Sequence, residues 1–168
     1  MKRNAKSWIC RLGLERHPEG GWFRETYRAA ESVGGEWLPE RFGGRRAFST
    51  AIQFLLAGEE FSALHCIKSD ELWHFYAGRP LVIHIIDSGG SYRTVTLGSD
   101  PDQGEVYQAT VEAGSWFGAS LLEAETYALV GCTVAPGFDF DDFEMGQREE
   151  LCRLYPEHDE MIKSLTRG

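Results

Sequence analysis

The chain has 168 residues, enough for one domain with a core of its own. Hydrophobic residues are 42% and charged residues 26%, which excludes disorder as the main state. Seventeen Lys and Arg stand against 26 Asp and Glu; the net charge of −9 repels nucleic acid, and no basic stripe reverses it.

No apolar run approaches the ~18 residues that span a bilayer. No secretory hydrophobic core follows the basic start, Met1-Lys2-Arg3-Asn4. Cys10, Cys66, Cys132 and Cys152 are far apart and form no CxxC pair. Neither a zinc knuckle nor a disulfide framework is indicated, and free thiols in a reducing cytoplasm are expected.

In chain order, Trp8, Ile9, Leu12 and Leu14 have helical spacing and predict a short helix within 4–14. His17 before Pro18 reads as its closing residue. Gly20-Gly21 breaks the chain, and 22–28 alternates as a strand on which Arg24 and Arg28 share a face. The stretch 31–46 reads as a surface loop or the tip of a β-hairpin. Strands are then predicted at 47–56, 61–67, 71–77, 81–87, 92–97, 105–111, 115–121 and 126–134, mostly separated by glycine-rich turns. That spacing indicates a sandwich or barrel rather than parallel βαβ units. From Gln147, Leu151, Leu154, Met161, Ile162 and Leu165 fit two short helices broken at Pro156. The acidic run Asp139, Asp141, Asp142 and Glu144 lacks the spacing of a calcium loop and reads as a solvated turn.

The densest cluster of chemistry-bearing residues runs from Phe61 to Gly78. Strand alternation puts Phe61, Ala63, His65 and Ile67 on one face, and Glu71, Trp73 and Phe75 on one face of the next strand. If the two strands are hairpin partners, His65 and Glu71 face the same interior, while His74 points away with Leu72 and Tyr76. Cys66 alternates away from His65, and Cys132 sits in an apolar strand as an inert thiol. A histidine and a glutamate among aromatics suit metal ligation or proton transfer. They equally suit a satisfied polar pair inside a packed barrel.

The runs His17-Pro-Glu-Gly-Gly-Trp-Phe-Arg-Glu-Thr-Tyr-Arg28, Phe61 to Gly78, Gly114-Ser-Trp-Phe-Gly118 and Leu129 to Phe140 resemble a cupin. They are most similar to the fifth numbered cupin family, a domain of unknown function. The resemblance implies an all-β fold, the double-stranded β-helix or jelly-roll barrel, with short N- and C-terminal helices. It makes 1–168 one domain with its core barrel at about 20–135, and it implies a homodimer.

The general cupin metal pattern, HxH followed by a spaced Glu and Gly, is met by His65, Glu71 and Gly78. Ile67 stands at the second histidine. In the second motif, Glu112 stands for the proline and Phe117 for the histidine. With two of four ligands missing, no metal and no other cofactor is expected. The nearest analogy is the metal-free cupins that isomerise sugar nucleotides, with His65 and Glu71 as the catalytic pair. A pocket lined by Ser49, Trp73, Phe75 and Phe117 would bind a small, sugar-like molecule, with neither nucleic acid nor membrane as partner. Two alternatives stay open. One is a non-catalytic ligand-binding protein; the other is a metal-dependent enzyme using His65, Glu71 and His74.

Overall fold

The computed structural model describes residues 4–168; the basic start Met1-Lys2-Arg3 lies outside them. Helix α1 (Ala5–Leu12) is capped by Asn4, whose side chain accepts from the Ser7 N–H while the Asn4 N–H donates to the Ser7 hydroxyl. Trp8, Ile9 and Leu12 on its apolar side pack around Leu14, Leu55 and Leu129. Among the described residues, no helix is long and apolar enough to cross a membrane.

Thirteen strands follow: β1 (Glu15–Arg16), β2 (Trp22–Arg28), β3 (Ser32–Val33), β4 (Arg46–Ala47), β5 (Thr50–Ala57), β6 (Phe61–Ile67), β7 (Asp70–Gly78), β8 (Leu81–Ile86), β9 (Tyr92–Leu97), β10 (Gln108–Val111), β11 (Trp116–Leu121), β12 (Tyr127–Ala135) and β13 (Phe143–Met145). Helices α2 (Arg148–Leu154) and α3 (Asp159–Ser164) end the chain, separated by a turn at Pro156. The segment 31–46 is a wide loop closed at its base by the β3–β4 pair.

Two antiparallel sheets face each other as a jelly roll, in the orders β1-β2-β5-β12-β7-β10 and β13-β6-β11-β8-β9. Side chains alternate in and out, so Phe54, Trp73, Ile83, Ile85, Phe117 and Val130 meet between the sheets, all fully buried. Each such side chain contributes roughly 1.5–3 kcal/mol by leaving water. Outside the five-stranded sheet, Leu151 of α2, Ile162 of α3 and Leu165 just beyond it cover Leu64 and Ile86.

Three features differ from simple alternation. β6 and β7 are consecutive but belong to opposite sheets, so His65 and Glu71 face each other across the sandwich rather than along a hairpin. β6 carries a bulge: His65 pairs with Phe117 but Ser62, three residues back, pairs with Ala119. The extra residue puts Ser62, not Ala63, on the inner face with His65 and turns Phe61 and Leu64 outward. β2 is bulged between Glu25 and Tyr27. Arg28 thereby joins Glu25 on the inner side, whereas Arg24 turns away and donates to the Leu12 carbonyl.

The acidic run is not a uniformly solvated turn. Asp142 is buried, and both its carboxylate oxygens accept from Arg46, each at 2.6 Å. This bidentate pair ties β4 to the short turn that leads into β13.

Candidate functional site

A cavity of about 270 Å³ opens at one end of the sandwich. Four ionisable side chains lie in its inner part: His17 and Glu19 from the loop between β1 and β2, His65 from β6 and Glu71 from β7. The Cys132 thiol of β12 joins them and donates to the Glu71 carboxylate. Phe54, Ile52, Ile67 and Val134 form walls, while Phe138, Phe140 and Phe143 form an edge-to-face cluster. Glu25 and Arg28 are paired at the mouth, and Arg28 also donates to the Phe138 carbonyl.

The His17–Glu19 loop is held tightly. The Glu19 carbonyl accepts from the Ala63 N–H and from Arg167, each at 2.8 Å, and Arg167 donates again to the Pro18 carbonyl. Gly20 has φ of 114°, and a Cβ there would lie 2.2 Å from the Phe61 carbonyl oxygen. Only glycine lets the loop press this close to β6. The result is a Glu19 side chain that is 7% exposed, with the Ser62 hydroxyl donating to its Oε1 at 2.7 Å.

Glu19 Oε2 lies 3.1 Å from His65 Nε2 and 3.5 Å from His17 Nδ1. His65 Nδ1 is 2.7 Å from the Ala63 carbonyl, which can only accept, so Nδ1 carries a proton. In neutral His65 the Nε2 lone pair therefore faces Glu19, and the contact needs one proton, on Glu19 or on Nε2. Burial decides the balance. Desolvation is the main cause in each case, lowering the pKa values of His65 and His17 and raising that of Glu19. Both partners are pushed towards their neutral forms. Glu71 is pushed up to about 7, chiefly by desolvation, against the opposing pull of His65. The arrangement can exchange protons with a molecule in the cavity near neutral pH.

The expected catalytic pair is thus brought together, but the expected walls lie elsewhere. Trp73 and Phe117 are fully buried in the core below the cavity, and Phe75 packs on that core further along β7. A strand advances ~6.6 Å over two residues, which carries Trp73 and Phe75 past the cavity's reach. Phe117 touches the site only through the His65 ring, 4.1 Å away between centroids. The Ser49 hydroxyl donates to the Val134 carbonyl and does not line the cavity. His74 is on the outer face, near Thr133 and Gln108, so the ligand set His65, Glu71 and His74 does not converge. Sequence reasoning missed Glu19 and assigned His17 to helix closure. The available signal was two ionisable residues beside Gly20-Gly21 in a loop too short to hold them apart.

The Cupin superfamily (DUF985) family profile matches residues 6–146. A crystal structure of a Shewanella oneidensis protein is 38% identical over 99% of both chains, with a TM-score of 0.89. A hypothetical protein from Leishmania major is 39% identical over 99% of this chain and 100% of its own, also with a TM-score of 0.89. Oxalate decarboxylase from Bacillus subtilis shares the fold alone: it is 18% identical over 89% of this chain and 36% of its own, with a TM-score of 0.54. No curated protein matches the chain.

Many cupins hold a metal, but the donor set here does not fit one. Carbon side chains, Ile67 and Phe117, replace two of the ligands, and the Glu19 oxygens are already engaged by Ser62, His65 and His17. Among the described residues, no group of three or more His, Cys, Asp and Glu is placed to hold a metal ion. With a family match over most of its length and two near-full-length structural relatives, the chain belongs to the cupin superfamily, in the DUF985 family.

Proposed function

We propose that this cupin is a metal-independent isomerase or epimerase that moves a proton on a compact, sugar-like molecule bound in the cavity. One observation carries the reading. Glu71 and the His65–Glu19 couple approach the same cavity from opposite sheets, both buried and neither committed to a fixed charge. Proton removal beside a carbonyl on one side and return on the other requires such opposed groups. With Glu71 near 7, its acid and base forms are both populated at neutral pH. The volume suits a single sugar ring or a molecule of similar size, not a sugar nucleotide.

The test is solvent exchange. The protein is incubated in deuterium oxide with a panel of aldoses and ketoses, and the hydrogen beside the carbonyl is followed by proton NMR. Loss of that signal from at least one member supports the reading. If compounds that bind, seen by thermal shift, never take up deuterium, the non-catalytic binding role replaces it.

A further inference from the structure

We infer that the cavity takes a ligand bearing an ammonium group, of the class of small amines and amino sugars. This rests on the reading of the cavity as a small-molecule site and narrows it by charge.

Among the described residues, the cavity lining offers no Lys or Arg free of a carboxylate partner. Among the described residues, Arg28 is the one Lys or Arg that lines it. That guanidinium stands at the mouth, half exposed, with Glu25 bonded to it at 2.7 and 3.0 Å. Asp139 lines the cavity too. Deeper in, Glu19 and Glu71 are both buried; among the described residues no Lys or Arg bonds either carboxylate, and Arg167 reaches only the Glu19 backbone carbonyl. Burial pushes both carboxyls up, and the opposing pull of Arg167 on Glu19 and of His65 on Glu71 does not offset it. A phosphate or carboxylate group placed here would meet carboxyls and no free cation. An ammonium group would supply the missing charge and let a buried carboxylate ionise in a pair.

The aromatic walls favour the same ligand. Phe138, Phe140 and Phe143 lie within 5.0 to 6.2 Å of one another at steep angles, so rings present both faces and edges around one volume. Phe23 stands against His17, 4.5 Å between centroids. Ring faces attract a cation and give nothing comparable to an anion. Carboxyls at the base with phenylalanines around them form a cation box rather than an anion site.

Three probes share one ring and differ in charge: glucosamine, glucose and glucuronate. Titration calorimetry at neutral pH should rank them in that order. A charge-assisted hydrogen bond implies that glucosamine binds at least about tenfold more tightly than glucose. Glu71→Gln should remove most of that preference, read as the ratio of glucosamine to glucose affinity in the variant against the same ratio in wild type. Glucuronate binding as tightly as glucosamine, or an unchanged preference in both Glu71→Gln and Glu19→Gln, overturns the ammonium assignment and leaves the small-molecule reading standing. No heat from any of the three overturns the assignment and counts against the sugar-like reading as well.

Discussion

His65 Nε2 and Glu19 Oε2 lie 3.1 Å apart inside the protein, a contact that calls for one proton between those two atoms. The geometry that fixes this is local. The β6 bulge turns the Ala63 carbonyl onto Nδ1, and the Gly20 turn presses Glu19 against the other ring nitrogen. Nitrogen-15 NMR of labelled histidine should find His65 protonated at Nδ1 and still neutral somewhat below its ordinary pKa of 6.5. A neutral ring protonated at Nε2 contradicts the arrangement.

Glu71 links the site to stability. Burial pushes its pKa in the folded protein up to about 7, from an ordinary carboxyl value of 4.5. The folded state therefore holds a proton that the unfolded state has released. This contribution is fully present below about 4.5 and is lost as pH rises through about 7. Glu71→Gln cannot ionise, so relative to wild type it should gain stability as pH rises, by on the order of 3 kcal/mol when complete. Urea unfolding at pH ~5 and pH ~8 measures the change, and the histidine contributions largely cancel in the difference. A constant gap between the two proteins rejects a raised Glu71 pKa.

The cysteines should separate by reactivity. Burial pushes Cys132 well above the ordinary thiol range, and Cys66 up to about 11. Cys10 is exposed. Iodoacetamide at mildly alkaline pH should alkylate Cys10 first and leave Cys132 unmodified in the folded protein, as read by peptide mass spectrometry. Early modification of Cys132 would mean that the cavity thiol is activated rather than suppressed.

Arg167 reaches from the C-terminal end to hold the Glu19 loop by two backbone carbonyls. Arg167→Ala should cost about 1–3 kcal/mol in stability. It also removes a positive charge that lowers the Glu19 pKa, so the acid limb of any pH–rate profile should move upward. Stability loss without a change in the profile would reduce Arg167 to a tether.

The Arg46–Asp142 pair anchors the turn that carries Phe140 and leads into Phe143, two of the phenylalanines lining the cavity. Asp142→Ala leaves a buried guanidinium without its partner and should destabilise the protein by about 3–5 kcal/mol. Replacing both residues by apolar ones of similar size should recover most of that loss. Thermal unfolding of the single and double variants decides it; equal losses in both place the effect in packing rather than charge.

Much of the fold is legible in the sequence because strand alternation and glycine turns are local. The strands from 61–67 to 126–134 and both terminal helical regions follow from spacing, except that the strand expected at 105–111 is confined to Gln108–Val111, and the one expected at 47–56 is interrupted at Phe48-Ser49 into β4 and β5. Strand alternation also puts Glu71 inward with Trp73. What spacing cannot show is a register shift. One inserted residue in β6 exchanges Ser62 for Ala63, and one in β2 swaps the neighbour of Arg28 from Arg24 to Glu25. Nor does alternation say how deep the core fills. Trp73 and Phe117 face inward as expected, yet they pack as core beneath the cavity. Glu19 escapes periodicity altogether, because its place is set by a loop pinned from β6 and from Arg167, over 140 residues away.

The most direct measurement compares wild type, His65→Ala and Glu71→Gln for solvent-deuterium uptake into a bound substrate, with circular dichroism confirming that each remains folded. Two opposed proton-transfer groups predict uptake by wild type and a loss of about 100-fold or more in each variant. Undiminished uptake in folded His65→Ala contradicts the assignment of the chemistry to this cavity.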